Sequence, residues 1–392
     1  MKEKEGPDHS LWHRIVYKVV YPLTVLLLKK YQFTTDVCPK LNDGHYIIMA
    51  NHTTESDMTM LINAFRQHMY FVCGEHLKRS KVAKPYWFFF DPIPEFKGTV
   101  PLGTVREILR RAHKGHNIMI FPEGSRSFNG VTAKVDVSAG KLVKHAKAGL
   151  VTYRIIGGYF VAPRWAYHFR TGKLQGKIMH IIKPEEIAKM TDQEVTDIIN
   201  ADLHEDAYET QKKLMNPYVG EGLAEGIENY LIHCPNCLAY DSMESQGNEF
   251  HCVRCGKKAT LDEYGFIHGD FPYDNVRDFG AWVVDSFKEE MRQKAEGEHL
   301  FTEKNVKLFQ ITRDHKQIDL MSGTAELYKD RIEMGDYVFP FAEMPAMSGL
   351  YYGKTALFTH NNTFYGLTGE HCHAWKCNML YDLVKEKESV KA

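Results

Sequence analysis

The chain has 392 residues, 44% hydrophobic and 25% charged, which is enough apolar material for two or three globular domains and excludes disorder as the default. A formal net charge of -1 leaves no global basicity, so no nucleic-acid partner is expected. Of the 8 Cys, four form one tight group; Cys38, Cys73, Cys372 and Cys377 lack disulfide-framework spacing, which points to a reducing compartment.

The N-terminus is too charged for a signal peptide and shows no cleavage site. Residues 11–31 read LWHRIVYKVVYPLTVLLLKKY. The longest uncharged run, 19–28, contains Pro22 and falls short of the ~20 apolar residues that a span needs. Trp12, Tyr17 and Tyr21 are mixed with Arg14, Lys18, Lys29 and Lys30, the composition of a helix lying among lipid headgroups. Residues 1–35 are therefore expected to form an interfacial helix, the alternative being an ordinary helix docked on the core.

Residues 36–226 alternate short apolar strands (46–50, 117–121, 151–156, 177–182) with helical stretches (105–114, 141–148). This predicts an α/β domain with a mostly parallel sheet and flanking helices. Thr191-Asp192-Gln193-Glu194 is a capping box that opens a further helix. Residues 216–226, rich in Gly and acidic side chains, read as a linker. A cysteine-bearing unit follows at 227–270, then a helical linker at 271–300. From 301 to 392 the pattern is strands alone (306–312, 318–328, 331–341, 355–369) closed by a helix at 372–385, with a turn at His360-Asn361-Asn362-Thr363. This predicts a small β-barrel or sandwich plugged by the helix, pleckstrin-like only by loose analogy.

Two stretches carry chemistry. Asn51-His52-Thr53-Thr54-Glu55-Ser56-Asp57 directly follows the strand at 46–50, placing His52 at a strand's C-terminal end, where α/β sites form. Asp57 lies five residues on; if a helix starts there, its carboxylate can return to the imidazole, fix its tautomer and raise its basicity. The pair could then deprotonate a substrate hydroxyl directly. Alone this spacing is a weak signal, since a His at a helix start with a capping Asp is common. Phe121-Pro122-Glu123-Gly124-Ser125-Arg126-Ser127 also directly follows a strand. Gly124 permits close backbone approach, and Ser125 and Arg126 offer donors to an anion.

Cys234-Pro235-Asn236-Cys237 and Cys252-Val253-Arg254-Cys255 give C-x2-C-x14-C-x2-C, the spacing of a zinc ribbon. Four thiolates close the shell, so the expected Zn is structural, supplying folding energy to a unit too small for its own core.

In combination and order, Asn-His-x4-Asp and Phe-Pro-Glu-Gly-Ser-Arg-Ser resemble the glycerolipid acyltransferases, the 1-acylglycerol-3-phosphate acyltransferase type, over residues 31–211. The resemblance implies a glycerol-3-phosphate acyltransferase-like fold and the transfer of an acyl group from acyl-CoA or acyl carrier protein to the free hydroxyl of 1-acylglycerol-3-phosphate. The product would be phosphatidate for phospholipid synthesis. It further implies His52 as base with Asp57 in support, Glu123, Gly124, Ser125 and Arg126 toward the acceptor, no catalytic metal, and a place on the cytoplasmic face of a membrane, peripheral or monotopic. Two stretches depart from the family pattern. Glu95-Phe96-Lys97-Gly98 stands where the family carries an Arg, leaving Lys97 or Arg106 as substitute, and Thr152 replaces a Pro before Arg154, itself a candidate extra phosphate ligand or a solvated strand-end charge. The alternatives are a different lysophospholipid or glycolipid acceptor, or a non-catalytic zinc-ribbon lipid-binding adaptor.

Overall fold

The computed structural model describes residues 10–79, 84–98, 101–312, 314–350, 352–369 and 372–391. Its first unit is built on a seven-stranded sheet of β1 (Thr34–Thr35), β2 (Tyr46–Ala50), β3 (Tyr70–Gly74), β4 (Ile93–Glu95), β5 (Ile118–Ile120), β6 (Gly149–Ile156) and β7 (Gln175–Ile182), in the order β1-β7-β6-β2-β5-β3-β4. Strands β6, β2, β5, β3 and β4 run parallel, while β7 is antiparallel to β6 and β1 parallel to β7. Central β2, YIIMA, is buried at every position, as expected where helices cover both faces of a parallel sheet.

One face is covered by α1 (Ser10–Lys29) and α2 (Asp57–Phe65), which bury Tyr17, Leu28, Met60 and Phe65 with Ile48, Met119 and Val151. The other is covered by α3 (Leu102–Ala112), α4 (Ser138–His145) and α5 (Asp192–Leu203), which bury Ile108, Val143, Val195 and Ile199 with Ile47, Ile118 and Leu150. The capping box forms as read: Thr191 Oγ1 accepts from Glu194 N at 3.2 Å, and Thr191 N donates to Glu194 Oε2 at 2.7 Å.

Helix α1 is 20 residues and continues through Pro22. By length and composition it suffices to cross a membrane, although its uncharged run alone does not. Only 28% of its apolar window is buried, and Leu11, Val19, Leu23, Leu26 and Leu27 face outward.

A four-stranded antiparallel sheet follows: β8 (Met243–Gln246), β9 (Glu249–Cys252), β10 (Lys258–Leu261) and β11 (Ile267–Gly269). Helix α6 (Val276–Gln293) is N-capped by Asn275, whose side chain accepts from Asp278 N at 2.8 Å. The C-terminal strands β12 (His299–Ile311), β13 (Gln317–Tyr328), β14 (Arg331–Met334), β15 (Tyr337–Pro340), β16 (Met347–Leu350), β17 (Thr355–His360) and β18 (Thr363–Thr368) form one antiparallel sheet, in the order β15-β14-β13-β12-β18-β17-β16. The expected barrel or sandwich thus takes the form of a single curled sheet. Asn361 and Asn362, both at positive φ (48° and 57°), make the tight β17–β18 turn. Helix α7 (Ala374–Lys391) packs with this sheet through Cys377, Met379 and Leu380. One buried apolar cluster runs from Tyr153 and Trp165 through Leu231 and Phe250 to Phe339 and Leu380, so the three units share a core.

Candidate active site

Strands β2 and β5 are neighbours in register, Met49 opposite Ile120. Both motifs therefore leave the sheet side by side, and the His52 ring stacks on Phe121 with centroids 4.1 Å apart and planes at 13°. Asn51, fully buried, fixes the exit of β2. Its Nδ2 donates to Ile155 O at 2.9 Å and its Oδ1 accepts from Ile155 N at 2.7 Å, tying the strand end to β6.

Asp57 is the first residue of α2, as the spacing required, and is 1% exposed. His52 Nδ1 lies 2.8 Å from Asp57 Oδ2. The carboxylate also accepts from Thr53 N (2.6 Å), Thr53 Oγ1 (2.9 Å) and Thr54 N (3.0 Å). Each of these groups donates, so the carboxylate acts as an acceptor throughout. An ionised carboxylate only accepts, so Nδ1 carries the proton and Nε2 keeps the lone pair. Burial depresses the His52 pKa; the bond and charge of Asp57 oppose this, while Arg126 and Lys97 add to it. The imidazole is thus neutral near neutral pH and ready to accept a proton.

The Phe-Pro-Glu-Gly turn closes through Gly124 N to Phe121 O at 3.0 Å, with Gly124 at φ +68°. Glu123 turns inward. Its Oε1 accepts the His52 amide at 2.7 Å and its Oε2 the Ala133 amide at 2.9 Å, so both oxygens are spent on backbone. Burial raises its pKa to about 7. Arg126 points outward, 16% exposed, with Nη2 3.1 Å from Glu55 Oε1 and Nη1 3.3 Å from Ala162 O. Lys97 donates to Glu95 Oε2 and to Gly124 O, which places it on the same turn. Among the described residues, no acceptor takes the amides of Ser125 or Arg126. A cleft of about 340 Å³ opens beside Glu123, walled by Val135, Ile199 and Leu203 with Lys134 and His204.

The departure at Thr152 has a structural reason. Thr152, fully buried, donates from Oγ1 to Asp202 Oδ2 at 2.5 Å and accepts from His180 N at 3.1 Å, at a register shift between β6 and β7. Arg154, weighed in the sequence as an extra phosphate ligand or a solvated charge, instead donates to the carbonyls of Asp202 (2.6 Å) and Ala201 (2.9 Å) at the end of α5.

Cys234, Cys237, Cys252 and Cys255 meet with all Sγ atoms within 4.8 Å of one another. The Cys234–Cys255 and Cys237–Cys252 separations are 3.7 and 3.6 Å. Tetrahedral thiolates at ~2.3 Å from a zinc ion stand about 3.8 Å apart, so this group fits a metal ion. His233 stacks on Tyr240 and Trp282 and belongs to the core rather than to the ligand set.

The His52–Asp57 pair and the Phe121–Ser127 turn thus stand side by side on adjacent strand ends of an α/β sheet. Residues 32–156, which hold both motifs, match the family model described as Acyltransferase. Among solved structures the chain is similar to the 1-acyl-sn-glycerophosphate (LPA) acyltransferase, PlsC, from Thermotoga maritima, at 18% identity over 51% of this chain and 83% of that one, with a TM-score of 0.42. A search of curated proteins finds no match.

Proposed function

We propose that the protein is a 1-acylglycerol-3-phosphate O-acyltransferase that makes phosphatidate on a membrane surface, its zinc ribbon serving structure. The observation that carries this reading is the His52–Asp57 dyad stacked on the Phe121 turn. Nε2 of His52 takes the proton of the acceptor's free hydroxyl as its oxygen attacks the thioester carbon of acyl-CoA or acyl carrier protein. The tetrahedral intermediate carries an oxyanion, and the amides of Ser125 and Arg126 are donors available to it. Collapse breaks the carbon–sulfur bond, and the thiolate recovers the proton from the His52 imidazolium. Neither a covalent enzyme intermediate nor a catalytic metal enters these steps.

Arg126 and Lys97 supply positive charge for the acceptor's phosphate. The Glu55 contact of Arg126 is solvent-facing, with Glu55 57% exposed. A pair of that kind holds by ~1 kcal/mol or less, so a phosphate dianion displaces it. Glu123 acts through the backbone, holding the His52 amide, and the apolar cleft beside it suits the acyl donor. Zinc held by the four thiolates would fix the ribbon against the shared core. The outward leucines of α1 suit a bilayer.

The reading is tested by incubating purified protein with lysophosphatidate, other lysophospholipids and a glycolipid, each with acyl-CoA or acyl carrier protein. Preferred acylation of lysophosphatidate is expected. Preference for another acceptor would replace the substrate, and no turnover with any acceptor would favour the adaptor alternative.

A further inference from the structure

Lys97 stands between two residues that the C-terminal sheet grips. Phe96 stacks on His315, centroids 5.3 Å apart and planes at 17°, and meets Phe364 edge-on at 6.2 Å. His315 is itself held, its Nδ1 2.8 Å from Oε1 of Glu75, a carboxylate 1% exposed at the end of β3. On the other side of Lys97, Gly98 O accepts from Thr359 Oγ1 at 3.0 Å. Gly98 sits at φ +76°, and a Cβ there would overlap the carbonyl of Leu357 on β17. Only glycine lets the Lys97 loop come so close.

A second cation is gripped from the same sheet. Arg164 donates from Nη2 to the carbonyl of Gly349 on β16 and from Nη1 to Arg126 O at 3.1 Å, with its guanidinium 4.1 Å over the Phe128 ring. Among the described residues it has no carboxylate partner. A part-buried guanidinium with only carbonyls and a ring around it is undercompensated, and its Nη1 lies against the backbone of Arg126 on the Phe121–Ser127 turn.

Resting on the acyltransferase reading above, we infer that the curled C-terminal sheet is the acceptor-side wall of the active site. It holds the Lys97 loop and Arg164 so that Lys97, Arg126 and Arg164 together receive the phosphate of an anionic lysolipid. His315 and Thr359 are positioning residues, acting through Phe96 and Gly98; Arg164 is a further phosphate ligand. The sheet would then favour anionic over uncharged acceptors, since an ordered cationic wall loses its advantage when the acceptor has no phosphate.

The test measures binding of lysophosphatidate, carried in neutral phosphatidylcholine vesicles, to the full-length His52→Ala protein, alone and combined with Thr359→Val, His315→Ala or Arg164→Gln. Monoacylglycerol in the same vesicles is the uncharged control, and Thr359→Ser, which keeps the hydroxyl, the conservative one. Each of the three substitutions is expected to weaken lysophosphatidate binding by about tenfold and to leave monoacylglycerol binding unchanged, while Thr359→Ser binds as the parent does. With His52 intact, Thr359→Val should raise KM for lysophosphatidate with little change in kcat. Unchanged lysophosphatidate binding, or equal weakening for both lipids, would overturn the inference. Because the binding measurement needs no turnover, selective weakening in a protein that transfers no acyl group would count against the enzyme reading and leave the wall standing.

Discussion

At the residue scale, the site depends on side chains whose polar atoms are fully committed. Asp57 accepts from three groups besides His52, Glu123 holds two amides, and Asn51 ties two strands. The consequence is clearest at Asn51. Its replacement by Ala removes two buried hydrogen bonds and orphans the N–H and C=O of Ile155, which predicts a loss of about 2–3 kcal/mol in denaturant-induced unfolding. A loss under ~0.5 kcal/mol would show that β2 is not anchored this way. The contact between His52 and Asp57 is legible in the sequence because it is local, five residues across a helix start. It could not reveal that Glu123 serves the backbone or that Thr152 and Arg154 serve the end of α5, because those partners stand 10 to 71 positions away.

At the element scale, α1 rests on a cluster of histidines. His13 stacks on His68 at 6.0 Å, and Tyr70 and His116 close around them. Burial, then the charges of His13, His116, Arg14 and Arg111, lower the His68 pKa to about 3. An unfolded chain takes up that proton near pH 6.5 while the folded one refuses it, so the unfolded state binds more protons and stability falls as pH drops below about 6.5. The melting temperature should therefore decline between about pH 7 and about pH 5, and less so in His68→Gln; identical slopes would remove His68 as the cause. The ribbon is the second element with a definite dependence. Its four thiols fit one metal ion and its apolar residues enter the shared core. Cys234→Ser is expected to lower bound zinc and to reduce stability by several kcal/mol, whereas full stability without metal would make the ribbon self-supporting. The strand pattern of the C-terminal sheet, β16 apart, is readable because alternation and the Asn361-Asn362 turn are local signals, whereas the four short strands of the ribbon are not, since only its cysteine spacing stands out. Strands β3 and β4 are not readable either, since they lie among aromatic residues without strict alternation.

At the scale of the whole molecule, two surfaces matter: the wall that the C-terminal sheet sets against the Lys97 loop, and the apolar outer face of α1. Neither the wall nor the shared core is legible in the sequence, because Phe96, His315 and Thr359 are brought together only by the tertiary fold. The α1 face was read as interfacial from its aromatic and basic mixture, and the folded helix is long enough for deeper insertion. Leu23, Leu26 and Leu27 are 53%, 67% and 52% exposed, so replacing all three by Ser leaves the core untouched. At ~1 kcal/mol each, vesicle partition should fall by roughly two orders of magnitude. Unchanged partition would place the membrane contact elsewhere.

The dyad remains the central claim, and the measurement that reaches it most directly is the rate of acyl transfer to lysophosphatidate by purified wild-type and His52→Ala protein with matched zinc content. His52→Ala is expected to lose about 10²–10⁴-fold in rate, the contribution of a positioned general base, with fold and metal retained. Transfer surviving at the wild-type rate would contradict the account.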